Sequence, residues 1–271
     1  MTDKGATTSG RSAIKEVLGL CAAPASAQDA SDLMGWIQNG LETMVQYGYP
    51  YPTSFYNPVP GYPFKVACER MVKDGTPLGA LRAAADVYYN YTGAAGKCFD
   101  QGMDGKLQGG KYASVRSEDG FNGQRGWGYQ TCTEVFQPMP TNGVTDMLLP
   151  STPNKTALFA SCEAEWGTVP RPEWEEYQFG GPNVGGSSNI FLSAGQIDPW
   201  RAGGIRREDL PKDLDPSIEL WENIGGAHHL DLRASNPLDP PTLTECRVRQ
   251  LAAIKRWIKE WAANPPKPTD P

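Results

Sequence analysis

The sequence predicts an α/β fold in its last third and a helical first half, on three observations. "NIFLSAG", Asn189 to Gly195, is a short and almost continuously apolar run closed by glycine, the pattern of a strand covered on both faces in a parallel sheet. "SIELWENIGG", Ser217 to Gly226, offers Ile218, Leu220 and Trp221 for burial in a second strand. Leu251, Ile254, Trp257, Ile258 and Trp261 then mark an apolar stripe on a helix that follows Asp239, Pro240 and Pro241 and ends before Pro265. Strand, loop, strand, loop, helix is how an α/β domain closes. Two parallel strands do not make a sheet covered on both faces, and the first half supplies no further candidates, so the chain reads as the back end of a larger domain.

Earlier elements follow in order. Leu33, Ile37, Leu41 and Met44 recur at helical spacing after the polar cluster Asp29 to Asp32, with Gly48 and Pro50 ending the run. Thr76 as N-cap and Pro77 in the first turn announce a second helix, with Leu78, Leu81, Ala85 and Tyr88 along one face. Between these helices "YGYPYPTSFYNPVPGYPF" reads as a rigid connection packed by its own rings, with a substrate-facing role as the alternative. Residues 101 to 126 carry seven glycines and read as a loop.

Composition excludes some classes. A formal charge of −6 without a Lys/Arg-dense stripe argues against a nucleic-acid partner, whose phosphates need a concentrated basic surface. No run of eighteen apolar residues is present to span a membrane, and the first twenty residues lack the apolar core of a secretory signal. Six cysteines, none in a C-x-x-C pair, suit disulfides better than zinc. Sequons at Asn90 and Asn154 lean the same way, toward an extracytoplasmic protein carrying glycans.

The chemistry concentrates in two strand-end loops. "GQIDPWRAGG" places Asp198 just past the first strand, and "GGAHHLDLRASNP" places the only two histidines, His228 and His229, just past the second. In a serine triad a carboxylate holds one imidazole nitrogen so that the other can take the serine proton. In α/β hydrolases the members follow the chain order serine, acid, histidine at strand ends. Asp198 before His228 fits that order. No G-x-S-x-G elbow precedes them, and "VGGSSNIF" enters a strand instead of leaving one, so Ser187 and Ser188 read as loop residues. Two other readings stand beside this one: a structural turn with packed imidazoles, and a metal site of His228, His229 and Asp231, for which no ligand spacing such as H-E-x-x-H is present.

At these residues, and at "YPYPTSF", "YYNYTG", "GWGYQTCTEV", "TNGVTDM" and "WGTVPRPEW", which occur in the family's order, the chain resembles the prolyl-specific serine peptidases that include lysosomal Pro-X carboxypeptidase and dipeptidyl peptidase II. The resemblance implies an α/β-hydrolase domain with an inserted, mainly helical cap, present here as an incomplete sheet: residues 1–180 as cap and 181–271 as the C-terminal segment of the hydrolase domain. It implies Asp198 as the orienting carboxylate, His228 as general base, and Trp200 as a wall of the pocket for the substrate proline. Tyr129, Gln130 and Glu134 belong to a cap motif that faces the cleft. It implies disulfides Cys21–Cys98 and Cys132–Cys162, leaves Cys68 with a partner outside the chain, puts Pro140 where Pro-X carboxypeptidase has a cysteine, and matches nothing to Cys246.

The expected activity is an exopeptidase cleaving at proline, amino- or carboxy-terminal, in a lysosomal or secreted protein that needs no cofactor or metal. Its partners are proline-containing peptides, with homodimerisation left open. The family's serine lies upstream of the cap, so the isolated chain is expected to be inactive. The alternative is a non-catalytic binding protein that keeps the cap.

Overall fold

The computed structural model describes residues 2–93, 95–99 and 123–264. Two compact units divide the chain, one made of Met1–Leu107 with Gly185–Pro271 and the other of Gln108–Val184. These units do not follow the division at residues 180 and 181. The first hundred residues pack with the C-terminal segment because Tyr47 and Tyr49, at the end of the third helix, share a small core with Ala227, Leu230 and Leu243.

In the first unit, α1 (Thr2–Gly5) and α2 (Thr8–Leu18) lead into α3 (Ala27–Gln46). Ser26 caps α3 and Asp29 completes the capping box, so the polar cluster Asp29 to Asp32 lies inside the helix instead of preceding it, with Asp29 in the first turn. Carboxylates there also suit the positive end of the helix dipole. Leu33, Ile37 and Met44 are buried as their spacing predicts. Helices α4 (Pro63–Asp74) and α5 (Pro77–Tyr89) follow, and Thr76 caps α5 by accepting from the Gly79 amide. These helices bury Ile14, Leu18, Leu33, Ile37, Val87 and Tyr88 in one core, with the Cys21–Cys98 disulfide at its edge.

Strands β1 (Phe191–Gly195) and β2 (Glu219–Asn223) pair in parallel, Phe191 opposite Glu219 and Gly195 opposite Asn223. Each is shorter than its apolar run, and most of their side chains are half-buried or exposed. The last helix of this unit runs over Pro241–Ala263; it is labelled α9 below, after the three helices of the second unit. Its face toward the protein is Leu243, Cys246 and Ala253. The stripe expected to drive its packing points away: Leu251, Ile254, Ile258 and Trp261 are exposed and only Trp257 is half-buried. A two-stranded sheet meets only one side of the helix, so the broader stripe finds no sheet beneath it.

The second unit contains α6 (Gly123–Thr131), α7 (Lys155–Trp166) and α8 (Trp174–Phe179), with Cys132 bonded to Cys162. Helix α6 begins inside the span read as a loop; its glycines at 123, 126 and 128 hide it from a propensity reading. The remainder of that glycine-rich stretch, residues 101–122, lies outside the described residues.

Candidate active site

Because β1 and β2 are parallel and in register to their last residues, the loops that leave them emerge side by side. Backbone bonds stitch the loops together: the Gln196 amide donates to the Asn223 carbonyl at 2.9 Å, and the Ile197 amide to the Gly226 carbonyl at 3.0 Å. The Gln196 side chain accepts from the Gly225 amide at 3.0 Å. Gly225 adopts φ +72°, a left-handed conformation open to glycine at little cost.

Asp198 caps the 3-10 turn Pro199–Gly203, accepting from the Trp200 amide at 2.9 Å. This bond holds the carboxylate at the turn's start and aims it across the loop. Nδ1 of His228 stands 3.0 Å from Oδ2 and 3.1 Å from Oδ1 of Asp198. Both side chains are largely shielded, 12% exposed for Asp198 and 17% for His228. A carboxylate on Nδ1 fixes the tautomer that leaves Nε2 unprotonated, the arrangement a general base requires. Among the described residues, the hydrogen bonds of His228 run to Asp198, Gln46 and Tyr49, and none goes to a serine. Ser187 and Ser188 lie in the exposed loop before β1.

Two rings lie close to the imidazole. Trp200 stacks at 5.9 Å between centroids with 28° between planes, and the His229 ring lies 3.6 Å away. His229 adopts φ +56°, a sparsely populated conformation for a non-glycine residue. Loss of hydration on burial, with the charge of neighbouring His228, lowers its pKa below the ordinary imidazole value; Asp198 and Asp231 oppose this weakly. The Asp231 carboxylate accepts instead from Ser193 Oγ at 2.6 Å and Gln250 Nε2 at 3.0 Å. Among the described residues no group of three His, Cys, Asp or Glu side chains is arranged to hold a metal ion.

Tyr129, Gln130 and Glu134 belong to the second unit. Tyr129 packs edge-on to Trp166, and Glu134 pairs with Arg171 at 3.1 Å. Both disulfides implied by the resemblance are present, while Cys68 and Cys246 are free. The Asn90 side chain is engaged by Asp86 and the Ala95 amide; Asn154 caps α7 by accepting from the Ala157 amide at 3.1 Å. Sequence reasoning missed Gln46 and Tyr49, which hold His228 from behind. Their signal was the position of Tyr49 in the aromatic stretch that directly follows an amphipathic helix.

Adjacent parallel strands that each deliver one member of an Asp–His pair from their C-terminal ends have the arrangement α/β hydrolases use. A family model described as "Serine carboxypeptidase S28" matches residues 1–250, and the chain belongs to that α/β-hydrolase family. It is 35% identical over 259 residues to "Lysosomal Pro-X carboxypeptidase" of Homo sapiens, covering 94% of this chain and 48% of that protein. It is also 33% identical over 251 residues to "Prolyl carboxy peptidase like protein 5" of Caenorhabditis elegans, covering 87% and 46%. With "Thymus-specific serine protease" of Mus musculus it shares 24% over 263 residues, covering 91% and 47%. The chain spans about half the length of the curated relatives it matches.

Proposed function

We propose that Asp198 and His228 are the acid and base of a serine exopeptidase that cleaves at proline, with the attacking serine contributed from outside these 271 residues. The single observation that carries this reading is the Nδ1-to-carboxylate geometry at the mouths of two parallel strands. Nε2 of His228 takes the proton of the serine hydroxyl as its oxygen attacks the substrate carbonyl. The resulting imidazolium is stabilised by Asp198, and its proton then passes to the leaving amine. Water, activated by the same nitrogen, releases the acyl group.

Trp200 supplies a flat apolar wall beside the base, and a proline ring, which has no N–H to satisfy, fits such a wall. The names of two relatives, "Lysosomal Pro-X carboxypeptidase" and "Prolyl carboxy peptidase like protein 5", support proline as the recognised residue. The resemblance supports Tyr129, Gln130 and Glu134 as substrate-binding residues, and with the relatives' names it supports a lysosomal or secreted protein bearing glycans at Asn90 and Asn154. The 271-residue chain alone is inactive on this reading, since among the described residues no serine hydroxyl is bonded to its base.

Turnover tests this. In a chain extended to the relatives' length, Asp198→Asn lowers kcat by about four orders of magnitude by the triad precedent. A loss below tenfold removes Asp198 from the role, and cleavage of a proline-containing dipeptide reporter by the pure 271-residue chain refutes the placement of the serine elsewhere.

A further inference from the structure

Both loops of the Asp198–His228 pair are tied to one place, the C-terminal end of α3. Gln46 is the last residue of that helix, and its carbonyl is one of those left without a partner inside the helix. The His228 amide satisfies it, donating at 3.2 Å. Tyr49, three residues on, donates its hydroxyl to the His228 carbonyl at 2.7 Å, so the backbone of the histidine is held on both sides. The Gln46 side chain reaches the other loop: Oε1 accepts from the Trp200 indole N–H at 3.0 Å, while the Trp200 amide donates to Asp198. One residue thus grips the base through its main chain and the acid, by way of Trp200, through its side chain.

This grip has something to hold. The loop must keep His229 at φ +56°, and a non-glycine residue in that region persists only where its surroundings impose it. The helix end lies close to both loops at Gly48, where a Cβ would press on the tip of Ile197, 3.2 Å from its Cδ1, and sit in ordinary contact with Ala227 Cβ at 3.7 Å. Arg233 closes the back, its guanidinium 4.9 Å over the Tyr49 ring. The negative end of a 20-residue helix dipole also points at the residue that turns positive during catalysis.

We infer that Gln46 and Tyr49 are positioning residues: the end of α3 sets the angle between the His228 imidazole and the Asp198 carboxylate and, through the indole N–H, the plane of the Trp200 wall. The inference rests on the reading of Asp198 and His228 as a catalytic pair.

The test uses the 271-residue chain and needs no turnover. The strength of the Asp–His coupling is the factor by which Asp198→Asn speeds solvent exchange of the His228 Nδ1 proton, followed by NMR. Gln46→Met keeps the length of the side chain and removes its acceptor; Tyr49→Phe removes the hydroxyl. Each is expected to reduce that factor at least threefold, with exchange of the Trp200 indole proton about fivefold faster in Gln46→Met, as the loss of one hydrogen bond implies. In a Trp200→Phe background Gln46→Met should have no further effect, because the group through which it acts is gone.

A merely structural role would lower the thermal midpoint and leave the coupling factor unchanged, and that outcome overturns the inference. If Asp198→Asn leaves exchange of the His228 Nδ1 proton untouched in the otherwise unaltered chain, the pair itself is refuted, a distinct failure. Tyr49 is buried, so the half-exposed Gln46 supplies the deciding arm if Tyr49→Phe fails to fold.

Discussion

Replacing Gly195 by alanine adds one methyl group at the end of β1, and the structure sets its cost. An alanine Cβ there would collide with the carbonyl oxygen of Gly226 and lie 2.8 Å from its carbonyl carbon and 2.9 Å from the carbonyl oxygen of Ala227. All three are backbone atoms, which cannot swing aside as the tip of a long side chain can. The backbone of Gly195 is not in the left-handed region, so without the collision the substitution would stabilise by about 0.4–1 kcal/mol through the unfolded state. Overpacking costs about 1–3 kcal/mol, so the collision wins and the net effect is destabilising. The corresponding drop in Tm is roughly 2–10 °C for a domain of this size.

The site should suffer more than the fold. Gly195 lies three residues before Asp198 and Gly226 two before His228, so a shift of about half an ångström between the strand ends carries a 3.0 Å contact beyond hydrogen-bond range. Calorimetry and solvent exchange of the His228 Nδ1 proton read the two effects separately. An unchanged or raised Tm together with unaltered exchange of that proton would refute the claim that close backbone approach at Gly195 builds the pair.

Other expectations concern cysteines and acid. Replacing both Cys21 and Cys98 by serine opens a link between residues 77 apart and should cost about 4 kcal/mol in urea unfolding, whereas a loss under 1 kcal/mol would mean that the helical core already constrains those segments. Burial pushes the Cys246 thiol up to about 11, so in the native chain a thiol reagent at pH 8 should modify half-buried Cys68 first; equal rates would contradict the packing of Cys246 on the inner face of α9. His229 has a folded pKa below its unfolded value near 6.5, so the unfolded chain takes up the proton first and stability falls as pH drops below about 6.5. His229→Gln should therefore lose less Tm between pH 7 and pH 5 than the unaltered chain, and identical losses would rule out that contribution.

Much of the fold was legible because its signals are local. The Thr76–Pro77 start of α5, the Leu33, Ile37 and Met44 periodicity of α3 and the two apolar runs all survive as elements. Helix α4, with Phe64, Val66 and Met71 only partly buried against the core, lay behind a proline-rich approach that reads as a loop. The stripe on α9 shows where periodicity misleads. It says that Leu251, Ile254, Ile258 and Trp261 share a face but not that anything lies against it, and in this chain Leu243, Cys246 and Ala253 make the contact.

The Asp–His pair was legible for a topological reason: parallel strands put their C-terminal loops on one side, so chain order and strand ends suffice to bring residues 198 and 228 together. What holds that pair was not. No periodicity or motif links Gln46 to Trp200 or to a histidine 182 positions later, because a helix's last carbonyl takes its partner from whatever packs there. The residues that carry out a reaction announce themselves by type, whereas those that position them are ordinary glutamines and tyrosines recognised by where their polar atoms end. In this chain a carbonyl and an amide oxygen of a single residue end on the two loops that matter, which makes the end of α3 as much a part of the site as the strands that bear the acid and the base.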